Sequence, residues 1–139
     1  MSRRKAREVA FKVLFQVDQV EADPHRAFRY MIQDVQLEEK DRDFSWQLVE
    51  GSLNHLREID EKISHFAKDW ALERMSAVDK NIMRIASFEI LFTEDSQSVV
   101  AIDEAIEISK RYGEENSGSF VNAILDKILG EKNEHLSGD

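Results

Sequence analysis

The chain has 139 residues, a formal net charge of −9, one proline, five glycines and no cysteine. This length fits one domain with its own core, and the lack of cysteine excludes disulfides and thiolate chemistry. No apolar run approaches the roughly 18 residues that span a bilayer, so we expect no membrane contact, and the lack of cysteine is compatible with the cytoplasm. Residues 1–12 hold five basic side chains and one acidic one, so they carry +4 and the remainder carries −13.

Apolar residues recur at helical spacing along nearly the whole chain, which predicts an all-α protein of about seven helices. The first stripe, from Ala6 to Val17, predicts a helix that ends near Glu21. Asp23 and Pro24 are typical of an N-cap followed by the first residue of a short second helix.

A polar run at residues 38–43 opens a longer helical stretch, with a bend near Asn54 and apolar spacing that continues to Trp70. This spacing predicts that Trp70, like Trp46, lies in the core. Ser76, followed by an aspartate three residues later, is a variant capping box and predicts the start of a strongly apolar central helix.

Within that central helix, Arg84 and Glu89 are expected to form a partly buried polar pair with a structural role. A loop at residues 93–98 ends the helix, and the next helix is predicted to end at Gly113. The last helix is predicted to end at Gly130. We therefore expect a single domain over residues 1–130 and a polar, flexible tail at residues 131–139.

Motifs for catalysis are not found in the sequence. There is no glycine-rich phosphate loop, no nucleophile elbow and no zinc-protease motif. Glu61 and His65 lie four residues apart on a predicted helix, but no third metal ligand accompanies them, so an exposed helix pair is the better interpretation. We expect no enzyme activity, no cofactor and no metal.

The basic start of the first helix indicates contact with a polyanion. Positive charge there is mildly unfavourable with the helix dipole, so helix stability does not explain the cluster. An ordinary solvated helix start remains the alternative.

Three segments of the sequence form a recognisable set. The first is RRKAREVA at residues 3–10, followed by Leu14 and Phe15; the second is VDKNIMRIASFE at residues 78–89. The third comprises VAIDEA, KRYG and SFVNAILD, at residues 100–105, 110–113 and 119–126. Together these segments resemble the NusB transcription-antitermination family, and their order and spacing extend the resemblance over about residues 3–128.

The resemblance implies an all-α fold of two small helical subdomains in a bacterial cytoplasmic protein. It implies binding to the boxA element of nascent RNA, together with the small-subunit ribosomal protein that acts as NusE. Within the transcription elongation complex, such a protein helps RNA polymerase read through terminators on ribosomal RNA operons. An exposed helix face also leaves room for a homodimer.

The resemblance also assigns roles to individual residues. Basic side chains would contact phosphates, aromatic rings would stack on unpaired bases, and polar residues at the start of the last helix would face the same strand. These RNA-binding candidates are Arg3, Arg4, Lys5 and Arg7 for phosphates, Phe15 and Phe120 for bases, and Asn116 and Ser119 beside the strand.

Asp79 and Lys80 match the position where the ribosomal protein is expected to dock. Three alternatives stay open from the sequence alone: Phe15 and Phe120 could simply pack in the core, and Asp79 could serve only the helix cap. A helical adaptor that binds proteins, with an incidental basic arm, is the competing function.

Overall fold

The computed structural model describes residues 2–93 and 98–137, which form seven α-helices and no β-strand. The prediction of an all-α protein is confirmed. The predicted loop positions 94–97 and the tail positions 138–139 lie outside the described residues. The helices are α1 (Ser2–Val20), α2 (Pro24–Ile32), α3 (Glu39–Asn54), α4 (Leu56–Ala67), α5 (Ala77–Phe92), α6 (Ser98–Tyr112) and α7 (Ser117–Ser137).

Two helix starts follow the capping chemistry that the sequence predicts. The Asp23 carboxylate accepts the Arg26 backbone N–H at 3.0 Å, and Pro24 occupies the first turn of α2. At α5, the Ser76 hydroxyl accepts the backbone N–H of Asp79 at 3.0 Å. Each cap satisfies an N–H without an intrahelical partner and stabilises its helix by about 1 kcal/mol.

Helices α1 to α3 pack together as one subdomain, and α4 to α7 form the other. Helix α5 joins them because it contacts α1 and α3 as well as α4, α6 and α7. Its Ile82, Met83 and Ile90 are almost fully buried. Where α3 crosses α5, a Cβ on Gly51 would lie 2.1 Å from the Phe88 ring, so only glycine permits this approach.

A buried ion pair connects the two subdomains. Arg7 of α1 donates from Nε and Nη2 to both carboxylate oxygens of Glu89 in α5, at 2.7 and 2.9 Å. The two side chains are only 4% and 1% exposed. The expected pairing of Glu89 with Arg84 is therefore wrong. Residues five apart point about 140° away from each other around a helix, and Arg84 instead pairs with Asp60 at 2.8 Å.

The last helix does not end at Gly130 but continues to Ser137. Two contacts anchor this extension on its neighbours: Glu131 pairs with Lys62 of α4, and Lys132 donates to the backbone carbonyl of Ile90. The hydrogen bond from Lys62 is the main cause that lowers the pKa of Glu131. Local sequence patterns cannot predict these partners because they lie on other helices, far away in the chain.

Trp70 lies outside the core, contrary to the prediction. Helix α4 ends at Ala67 because Lys68 adopts a positive φ of 46°, which turns the chain away from the helical path. Trp70 is 52% exposed, and a single 3₁₀ turn at Leu72–Arg74 follows it.

We predict that Glu89→Ala lowers the free energy of unfolding by about 3 to 5 kcal/mol, because it leaves the Arg7 guanidinium buried without its counter-ion. Urea unfolding followed by circular dichroism measures the change. Arg57→Ala is the matched control: it breaks an exposed pair with Glu61 and should cost no more than about 0.5 kcal/mol. Equal losses in the two variants would contradict a buried, structural pair.

Candidate nucleic-acid interface

Three of the four basic residues predicted to contact phosphates lie on the surface at the start of α1. Arg3, Arg4 and Lys5 are exposed. Arg3 lies 3.2 Å from Asp41 and its guanidinium is 4.0 Å from the centre of the Phe44 ring. Arg4 donates to Glu104 at 2.6 Å, and this hydrogen bond raises the pKa of Arg4.

Arg7, the fourth, cannot contact phosphates in this structure. Its side chain is buried and two of its donors are used by Glu89, as described above. The prediction for Arg7 is corrected: this residue holds α1 on α5. In the sequence it belongs to the same basic run as Arg3 and Arg4, and only the position of Glu89, 82 residues later, separates their roles.

The start of α1 is linked to the end of α6 through Glu8. Its carboxylate accepts hydrogen bonds from Arg111 at 3.0 Å and from the Tyr112 hydroxyl at 2.9 Å. The ring of Tyr112 also packs against that of Phe11, with 5.5 Å between the ring centres. These bonds place the turn after Tyr112 beside α1. No sequence pattern marked Glu8 as a site residue.

The turn between α6 and α7 is tight, and Gly113 makes it possible. The Ser117 hydroxyl accepts the backbone N–H of Glu114 at 2.9 Å. A Cβ on Gly113 would lie 2.5 Å from that hydroxyl oxygen. Helix α6 ends just before Gly113, as predicted, but no glycine in the described segments has a positive φ, so close approach rather than a left-handed cap requires the glycine.

A cavity of about 510 Å³ opens between this turn and the segment that joins α4 to α5. We call it the Trp70 cavity. It brings together Asn116 and Phe120, predicted to bind RNA, with Asp79, predicted to bind the protein partner. The ring of Trp70 meets that of Phe120 edge to face, 6.3 Å between centres. Its walls include Trp70, Arg74, Met75, Asp79, Asn116 and Phe120.

The other candidates lie around this site with unequal accessibility. Ser119 is exposed and lines a neighbouring cavity of about 440 Å³. Phe15 is half-buried against the core, with its ring 6.2 Å from that of Phe11. Lys80 has a side chain only 14% exposed, because its ammonium pairs with Asp18 at 3.1 Å.

Trp70 is a site residue, although its helical spacing predicted a place in the core. The signal that could have revealed it is its setting: a large aromatic residue in the polar stretch KDWALER, just after a helix. Helical spacing alone does not distinguish such a residue from a core residue.

Within residues 2–93 and 98–137, no cluster of three or more histidine, aspartate or glutamate side chains is arranged to hold a metal ion. Over the same residues, none of the helices combines the length and the apolar character that crossing a membrane requires.

These features define a small all-helical protein with a cationic and aromatic surface, the chemistry that holds single-stranded nucleic acid. The model of the NusB family matches residues 4–130, and the chain belongs to that family. The resemblance found in the sequence is thereby confirmed.

Three known proteins illustrate the similarity. The transcription antitermination protein NusB of Syntrophomonas wolfei is 65% identical over 133 residues, covering 96% of this chain and 99% of the relative. The structure of T. maritima NusB is 41% identical, with a TM-score of 0.85 over 93% of this chain and 91% of that one. A crystal structure of the antitermination factors NusB and NusE with double-stranded RNA has a TM-score of 0.86, covering 94% and 97%. At 24% identity it supports the fold alone.

Asp18 fastens the end of α1 to α5 and makes stability depend on pH. Burial would raise its pKa, but hydrogen bonds from Asn81 and Lys80 outweigh burial and lower the pKa below the usual 3.8. A carboxyl group whose pKa is lower in the folded state stabilises the fold at pH values above its unfolded-state pKa. This stabilisation is lost as the pH falls through the folded-state pKa. We predict that Asp18→Asn flattens the loss of stability below about pH 4.

Urea unfolding at a series of pH values compares Asp18→Asn with the unaltered protein. Asp126→Asn, at an exposed position of α7, is the matched control and should follow the unaltered protein. Identical acid profiles for all three proteins would contradict a linkage through Asp18.

Proposed function

We propose that the chain is a non-catalytic transcription antitermination factor of the cytoplasm. It binds boxA-type single-stranded RNA together with the NusE ribosomal protein and promotes read-through on ribosomal RNA operons within the elongation complex. The observation that carries the proposal is the Glu8 link, which holds the cationic start of α1 beside the turn that bears Asn116 and beside the first turn of α7, which bears Phe120.

The exposed cations supply the contact with phosphates. Arg3, Arg4 and Lys5 occupy one turn of α1, on a chain whose remainder is acidic. Asp41 and Glu104 hold the two guanidinium groups in place before RNA arrives, and they also compete with phosphate for them. A local excess of positive charge within an acidic protein favours modest affinity and fast, salt-sensitive association.

The aromatic side chains supply the contact with bases. Phe120, partly exposed at the mouth of the Trp70 cavity, is well placed to stack on an unpaired base. Phe15 lies about 18 Å from Arg3 along α1, at 1.5 Å per residue, so a strand that reached both would follow the helix. Its half-buried ring offers one accessible edge or face.

NusE would dock near Asp79, as the resemblance implies. Asp79 borders the same cavity as Asn116 and Phe120, so the protein partner and the RNA would lie side by side. Two ligands that also touch each other bind more tightly together than alone, because the second association becomes intramolecular. Lys80 offers less accessible surface to a partner because its ammonium group forms an ion pair with Asp18.

A protein-binding helical adaptor remains the second candidate, and one observation favours it. Arg3, Arg4 and Arg7 each have a carboxylate partner within the chain. Because these arginines already pair with carboxylates of the same chain, RNA binding is not needed to account for their presence.

The two candidates respond differently to the joint replacement of Arg3, Arg4 and Lys5 by alanine. We predict that affinity for a boxA-type RNA falls by about tenfold or more at low salt, because three phosphate contacts are lost. The slope of log K against log salt should shrink by about 2, at about 0.7 per contact for a single strand. Fluorescence anisotropy of a labelled RNA at several salt concentrations measures both.

The control is the joint replacement of Arg57, Lys68 and Lys127, which are exposed and change the net charge equally. It should leave the salt slope unaltered. If both triple variants bind RNA alike, or if the unaltered protein binds none, the adaptor replaces the RNA-binding function. Arg7 is kept in every variant because its loss would leave the Glu89 carboxylate buried without its counter-ion and would destabilise the fold.

A further inference from the structure

We propose that the outward face of α2 is a second contact surface for single-stranded RNA, which takes nucleotides that flank the boxA element. We call it the α2 face and define it by Arg26, Arg29 and Tyr30. The inference rests on the proposed RNA-binding function and extends it to the subdomain that does not contain the α6–α7 turn. The two arginines would contact phosphates, and the tyrosine would stack on a base.

The charge of α2 departs from that of the rest of the chain. About one residue in five of the whole sequence is aspartate or glutamate, yet residues 24–33 contain neither. The same segment holds two arginines, so it carries positive charge on an acidic protein. Arg26 lies in the first turn of the helix, where the dipole favours anions, so helix stability does not account for this residue.

Both arginines of the α2 face lack a partner within the chain. Their side chains are exposed, and neither makes an ion pair, a side-chain hydrogen bond or a ring contact within residues 2–93 and 98–137. The three arginines at the start of α1 differ, because each of them pairs with a carboxylate. A phosphate that reached either arginine of α2 would therefore displace no carboxylate.

Tyr30 places an aromatic ring beside these two charges. It is 68% exposed, the largest exposed fraction of any large hydrophobic residue in the described part of the chain. It follows Arg29 directly and lies four residues after Arg26, a spacing at which side chains are neighbours on the helix surface. An exposed ring beside cations suits an unpaired nucleotide, since the ring stacks on the base and the cations contact the backbone.

The inward side of α2 holds this face in place. Ala27 and Phe28 are buried, and the ring centres of His25 and Phe28 lie 4.5 and 5.2 Å from that of Trp46 on α3. At the start of the helix, the Asp23 carboxylate is engaged by the cap. The face is thus presented by a helix that is already ordered, so RNA binding costs little conformational entropy on the protein side.

The α2 face is within reach of a strand bound at the start of α1. Helix α3 packs against both helices: Arg3 of α1 pairs with Asp41, and His25 of α2 lies against Trp46. Two helix spacings correspond to about 20 Å, which flanking nucleotides can span. Exposed side chains of both signs occupy residues 38–43, so we assign no RNA contact to the start of α3.

A nucleotide matches the chemistry of this face better than an acidic peptide does. Aspartate or glutamate side chains would satisfy the two arginines and leave the ring of Tyr30 without a partner. A nucleotide supplies a phosphate and a flat base in one unit. Nucleotides next to a strand that is already bound also have a high effective concentration, so a few weak contacts raise the affinity of the whole RNA.

Two RNAs separate the α2 face from the rest of the surface: a minimal boxA-type strand, and the same strand extended by unpaired adenylate at both ends. We expect the unaltered protein to bind the extended RNA about fivefold more tightly at low salt. Arg26→Ala combined with Arg29→Ala should remove this gain and leave the affinity for the minimal strand unchanged. For the extended RNA, the slope of log K against log salt should shrink by about 1.4, at about 0.7 per contact. Fluorescence anisotropy measures both quantities.

The matched control is Arg57→Ala combined with Lys127→Ala, which changes the net charge equally at exposed positions and should keep the gain. Tyr30→Ala should remove most of the gain, and Tyr30→Phe should restore it, because both rings stack. 2-Aminopurine placed in the extension reports this stacking: its emission should be quenched by the unaltered protein and not by Tyr30→Ala. Since all these positions are exposed, the circular dichroism spectra should not change.

Three outcomes would overturn the α2 face as an RNA contact. Equal affinities of the unaltered protein for the two RNAs would leave no flanking contact to assign. Equal losses in the α2 variant and the charge-matched control would make the effect one of net charge. An α2 variant that binds both RNAs normally but no longer gains affinity from NusE would make the face a protein-binding surface. In all three cases the minimal RNA still binds and the proposed function stands, whereas an unaltered protein that binds neither RNA would contradict both.

Discussion

The buried pair between Arg7 and Glu89 is the constraint on which the arrangement of this protein depends. It crosses from α1 to α5 and fixes the rotation of α1 about its own axis. With Arg7 directed inward, Arg3, Arg4 and Lys5 are left at the surface and Glu8 faces α6. The buried pair of Arg7 and Glu89 and the carboxylate of Glu8 therefore together place the cations beside the α6–α7 turn.

The acidic side chains around this surface explain how an acidic protein can present a cationic site. Asp41, Glu104 and Glu8 each hold a basic residue in a defined place. In these pairs the guanidinium groups lie at the surface, but Asp41 and Glu8 are buried, so a phosphate that binds these guanidinium groups must compete with carboxylates that are held in place. The buried Arg7–Glu89 pair differs because breaking it would expose an uncompensated charge to an apolar interior.

Local chemistry made much of the fold predictable from sequence. Neighbouring residues determine the caps at Asp23 and Ser76, the break between α3 and α4 near Asn54, and the end of α6 just before Gly113. Burial of Arg7, by contrast, depends on Glu89, and the extension of α7 depends on Lys62 and Ile90. The prediction that Trp70 lies in the core was wrong because the helical spacing of apolar residues continues past Ala67, where α4 ends. The resemblance found the α6–α7 turn but not the cavity beside it.

Binding of a labelled boxA-type single strand, compared with a scrambled strand and with a duplex, tests the central claim most directly. Anisotropy at two salt concentrations, with and without the NusE ribosomal protein, gives the four affinities that matter for each RNA. We expect preference for the boxA strand and tighter binding when NusE is present. Weak and equal binding to all three RNAs, unchanged by NusE, would contradict an antitermination factor and leave only the shared fold.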